Sequence, residues 1–115
     1  MIISEQILLG PSVENRAGEL IEMIRKDRVK KKGLWYVVTT GSRERNLLFI
    51  LSNYELQNRY YWTDDRRVLA LAGSWPEACR LVSSLVDEAQ SAIRPDSGTG
   101  GPVTGREFRA YFDQR

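Results

Sequence analysis

The sequence predicts an α+β domain: a four-stranded antiparallel meander packed by an N-terminal and a C-terminal helix, with a short C-terminal helix tethered behind it. Three observations predict this class. Residues 34–72 hold four short runs of β-branched, aromatic and aliphatic residues separated by polar breaks. Segments with apolar residues three and four apart flank those runs on both sides. A Gly/Ser/Thr-rich stretch then leads into a last segment carrying three aromatics.

The first run, Leu34–Thr40, suits a pleated and largely buried surface. Gly41-Ser42-Arg43-Glu44-Arg45 follows as a hairpin connection, and Leu47–Leu51 is the second strand. Arg59–Thr63 and Val68–Ala72 are expected as strands three and four. Short connections force antiparallel pairing, because a parallel crossover needs a dozen residues or more. Side chains alternate along a strand, yet both faces of the first two runs are apolar. A helix, a second subunit or a ligand must therefore cover each side.

Residues 1–10 hold Ile2, Ile3, Ile7, Leu8 and Leu9 and read equally as an edge strand or an arm. Gly10-Pro11-Ser12 is a break with Ser12 placed as an N-cap. Val13, Ala17, Leu20, Ile21 and Ile24 then make a helical stripe, within which Gly18 is expected to permit close packing on the sheet. Lys30-Lys31-Lys32-Gly33 is expected to end that helix. Ser74-Trp75-Pro76-Glu77 has capping-box spacing and opens a second stripe from Ala78 to Ile93, stopped by Arg94-Pro95. Residues 1–95 thus read as the domain and 96–105 as a flexible linker. Residues 106–115 read as a tail helix, with Thr104 and Glu107 again at capping-box spacing.

With 115 residues the chain is long enough for a core without staples. No apolar run is long enough to span a membrane, and the start lacks the pattern of a secretory leader. One cysteine excludes an internal disulfide, so a cytoplasmic protein is expected.

Net charge is only +2, but it is unevenly placed. Residues 25–45 hold Arg25, Lys26, Arg28, Lys30, Lys31, Lys32, Arg43 and Arg45 against Asp27 and Glu44, which leaves the remainder net negative. These cations are the candidate contacts to nucleic-acid phosphates. Trp35, Tyr36, Tyr60, Tyr61 and Trp62 are candidates to stack on bases or to form an interface. The bland alternative has lysines solvating a helix end while aromatics fill a core. Phe108, Tyr111 and Phe112 share one side of the tail helix, which is expected to dock on its own domain or on another molecule.

Catalysis is not expected. The chain has no histidine, hence neither the usual general base near neutral pH nor the commonest metal ligand. Cys79 has no visible partner base, Asp64-Asp65 suits a turn, and Gly98-Thr99-Gly100-Gly101 lacks the rest of a phosphate loop. No cofactor or metal is implied. The expected function is a non-enzymatic protein engaging nucleic acid through residues 25–45. The alternative is an interaction module, such as an inhibitor, regulator or accessory subunit, that meets an acidic protein surface through its basic patch and aromatic tail. A homodimer is compatible with either.

Overall fold

The computed structural model describes residues 1–41, 47–96 and 100–115. Its strands are β1 (Ile2–Leu9), β2 (Tyr36–Thr40), β3 (Leu48–Ser52) and β4 (Arg67–Ala72), and its helices are α1 (Ala17–Arg25), α2 (Trp75–Ile93) and α3 (Gly105–Asp113). The strands form one sheet in the order β1-β4-β2-β3. The α+β class and a four-stranded sheet are therefore present, but the sheet is mixed and is not an antiparallel meander. β2 pairs antiparallel with both β3 and β4, whereas β1 lies parallel to β4 at the edge.

The sheet takes its fourth strand from Ile2–Leu9 rather than from Arg59–Thr63. Arg59–Thr63 is not a strand; residues Glu55–Gln57 and Arg59–Tyr61 form two 3-10 turns. The Asn58 side chain accepts from the Tyr60 N–H at 3.0 Å, and the Trp62 indole N–H donates to the Leu56 carbonyl at 2.6 Å. Tyr61 and Trp62 pack on a core face while Tyr60 stays exposed, so the β-like composition here reflects partial burial rather than pairing. β3 and β4, both antiparallel to β2, run the same way, and residues 53–66 carry the chain back between them as such a crossover requires.

Each sheet face is closed by the chain itself. Val37, Leu51, Val68 and Leu71 pack with Val13, Leu20 and Ile24 from α1 and the 3-10 turn before it, together with Trp35 and Leu56. Val38, Leu69, Ala70 and Ala72 pack with Ala78, Leu85 and Ala89 of α2 and Phe112 of α3. Leu69 and Ala70 share a face because the β2–β4 register slips between Val38 and Thr39, the mark of a bulge. The doubly apolar strands thus need no second subunit to cover them.

The helix ends depart from expectation in informative ways. Pro11–Arg16 is a 3-10 helix, and Ser12 caps nothing: its hydroxyl donates to Glu77 Oε1 at 2.7 Å. Ser74 does cap α2, accepting from the Glu77 N–H at 3.3 Å. The Glu77 carboxylate, however, accepts from the Gly73 N–H at 3.0 Å, so the reciprocal half of the box is displaced by one residue. A Cβ on Gly10 would sit 1.8 Å from Glu77 Oε1, so this knot needs glycine there. Gly18, by contrast, is exposed and a Cβ there would meet nothing; it packs on no sheet.

α1 stops at Arg25, well before the lysines. Asp27 takes the left-handed conformation (φ 54°), the Arg28 N–H bonds the Met23 carbonyl and the Asp27 N–H bonds the Ile24 carbonyl. That pair of bonds is a Schellman ending with aspartate where glycine is usual. The tail helix, α3, has its full capping box between Thr104 and Glu107 and docks on its own domain. Phe112 is fully buried, Arg94 Nη1 holds Glu107 Oε2 at 2.7 Å, Arg115 Nη1 holds Glu88 Oε1 at 3.0 Å, and the Ser4 hydroxyl donates to the Arg115 main-chain oxygen at 2.7 Å. Residues 97–99 of the expected linker lie outside the described residues.

Candidate basic interface

Because α1 ends early, residues 26–35 form a loop between α1 and β2, and the lysines ride on it. A single buried side chain shapes that loop. Asn53 follows β3 and is fully buried. Its Oδ1 accepts from the Trp35 N–H at 3.2 Å, and its Nδ2 donates toward the carbonyls of Lys30 (3.0 Å), Gly33 (3.2 Å) and Lys32 (3.5 Å). Gln57 Nε2 adds a bond to the Val29 carbonyl at 2.9 Å. Gly33 has φ +67°, which turns the chain into β2 at no Cβ cost. With the main chain held from inside, the side chains are left to solvent: Arg28, Lys30, Lys31 and Lys32 are exposed and make no ion pair among the described residues.

The expected patch divides in two. Arg25 and Lys26, at the end of α1, pair with Glu22 at 3.5 and 3.7 Å. These exposed helix pairs contribute little to stability, but they partly neutralise that end. Lys30 and Lys32 instead line a cleft of about 370 Å³ with Arg16, Glu19, Gly33 and Trp35. Arg16 was not singled out from sequence, since nothing in the order of residues places it beside the lysines. Arg43 and Arg45 lie outside the described residues.

Most of the expected stacking residues are at least half-buried. Trp35 is 1% exposed and belongs to the first core face. Tyr61 is half-buried beneath the Arg66 guanidinium, 5.6 Å from its ring centre, and Arg66 is itself buried against the Phe49 ring. Trp62 is half-buried, with Arg59 over its ring and its N–H used internally. Tyr60 is exposed. Tyr36 is half-buried and meets the ring of Trp75 edge-on, centres 6.0 Å apart. Of the tail aromatics, Phe112 is buried and Phe108 and Tyr111 are partly buried on the same core, so α3 is not a free docking element.

Two carboxylates are held below the ordinary range, and neither serves the basic loop. The Gly73 N–H, with smaller help from Ser12 and Arg80, holds Glu77 down against the cost of its burial. The Arg94 guanidinium, with the cap bonds from Thr104, does the same for Glu107. Both knit elements together: Glu77 joins α2 to the turn before α1, and Glu107 joins α3 to the end of α2. Among the described residues no three His, Cys, Asp or Glu side chains converge as metal ligands, and no helix is long and apolar enough to cross a membrane. Comparison with protein-family models, with curated proteins and with solved structures found no match.

Proposed function

We propose that this chain is a small non-enzymatic nucleic-acid-binding protein whose contact surface is the loop 26–33 with its flanking cleft. The observation that carries the reading is the combination of four exposed cations that make no ion pair among the described residues, Arg28, Lys30, Lys31 and Lys32, with a backbone fixed by buried Asn53. Such cations gain by replacing the counterions condensed on a phosphate chain, and a fixed loop loses little entropy in doing so. Arg16 adds a third cation to the cleft, where Glu19 is the one acid in the lining among the described residues. Residues on the strands contribute scaffold rather than contacts.

The test is a fluorescence-anisotropy salt series with labelled oligonucleotides. Replacing Lys30, Lys31 and Lys32 by Ala should weaken binding and reduce the slope of log K against log salt by about 2 to 3, the value for three lost phosphate contacts. An unchanged slope removes this surface from the reading. The second reading, an acidic protein surface met by the same loop, draws on exposed Leu34 beside the lysines, an apolar neighbour that phosphates do not need. It predicts no oligonucleotide binding even at low salt.

A further inference from the structure

We propose that Trp75, backed by Tyr36, is a stacking platform for unpaired bases, so that the nucleic acid bound at the basic loop is single-stranded. The inference rests on the nucleic-acid reading above and narrows it to one class of target.

The fold brings these aromatics to the end of the sheet that the lysine loop enters. Tyr36 opens β2 and pairs with Ala72 at the end of β4, and Gly73-Ser74 leads directly from there to Trp75 at the first position of α2. Tyr36 is also four residues from Lys32, a separation of at most ~14 Å along the chain. The stretch from Lys30 to Tyr36 therefore spans a distance that a few nucleotides of one strand cover. Leu34, exposed in the loop between Lys32 and Tyr36, adds an apolar side chain to this stretch.

Trp75 is not there for the core. It is 52% exposed and belongs to neither buried cluster, although an indole is among the largest apolar groups a protein can bury. The cap of α2 is made by Ser74, not by its neighbour, so the helix start does not need tryptophan either. Its one aromatic contact, with Tyr36 at an interplanar angle of 73°, positions the ring while leaving half its surface to solvent. An exposed, positioned π-face at the end of the sheet where a loop of exposed cations enters offers the combination that single-strand binders use: cations follow the phosphates while rings take the bases. A duplex offers phosphates but no free base faces, so the platform distinguishes the two.

The experiment compares wild type, Trp75→Ala, Trp75→Phe and the Lys30/Lys31/Lys32→Ala triple variant, each against a labelled ~12-nucleotide oligothymidylate and a duplex of equal length. Trp75→Ala should weaken single-strand binding between about 5-fold and 100-fold while leaving the salt slope unchanged, since no phosphate contact is lost. Trp75→Phe should recover part of the loss, and duplex binding should not change. In the wild-type protein, titration with the oligothymidylate should shift the indole N–H resonance of Trp75 and leave that of buried Trp35 in place, a readout independent of how any variant folds. Equal single-strand affinity of wild type and Trp75→Ala, with a weakened lysine variant, overturns the platform and spares the basic-loop reading. A lysine variant indistinguishable from wild type, or no binding by wild type, overturns both.

Discussion

Replacing Asn53 tests the link between buried structure and exposed charge most directly. In Asn53→Ala the Trp35 N–H loses its acceptor in a fully buried setting, which costs about 1–3 kcal/mol. The vacated amide leaves a small void worth about 1 kcal/mol more. The carbonyls of Lys30, Lys32 and Gly33 belong to exposed residues and regain water, so their loss adds little. The sum is about 2–4 kcal/mol, and for a chain of 115 residues that lowers Tm by about 8–16 °C. Asn53→Asp sharpens the test, because it keeps Oδ1 for Trp35 but aims an anionic oxygen at three carbonyls. Its ionised form is disfavoured in the folded state, so the folded pKa lies above the unfolded Asp value of about 3.9. The variant's deficit against wild type is then smallest below pH ~4 and widens as pH rises through the folded pKa. Thermal unfolding followed by circular dichroism across pH reads both effects. An Asn53→Ala protein melting within ~3 °C of wild type, or an Asp variant with a pH-independent deficit, would refute the role given to this residue.

Three further expectations concern the scaffold. The Glu77 carboxyl is held below its ordinary value, so its stabilisation is present above the unfolded pKa and is lost as pH falls through the lower folded value. Glu77→Gln should therefore be destabilised at neutral pH and show a shallower acid limb, and an unchanged limb in urea titrations would contradict the assignment. Phe112→Ala should lose about 3–5 kcal/mol, because the ring is fully buried among α2 and the sheet; retention of wild-type stability would mean that α3 is not docked. Asp27→Gly relieves a left-handed residue at the end of α1 but gives up an exposed pairing with Arg59. The net should be a stabilisation of up to about 1 kcal/mol, and a clear loss in chemical denaturation would show that the pairing outweighs the strain.

What the sequence by itself determined were the features that arise within a few residues. The apolar runs of β2, β3 and β4, the stripes of α1, α2 and α3 and the caps at Ser74 and Thr104 were all legible, because period and cap chemistry are local properties. The doubly apolar strands also stated correctly that both sheet faces had to be covered. Tertiary structure decided the rest. Whether Ile2–Leu9 was a strand, and against what, depended on the free edge of β4, far away in the chain. Arg59–Thr63 has strand composition, but a crossover between two strands running the same way left it no partner to pair with. Nothing in the order of residues marks Asn53, and its role emerges only when the lysine loop folds over it. The aromatics divide for the same reason. Trp35 and Trp75 are equally apolar in sequence, yet the fold buries the first in the core and leaves the second half-exposed at the start of α2, since exposure depends on what the rest of the chain brings alongside.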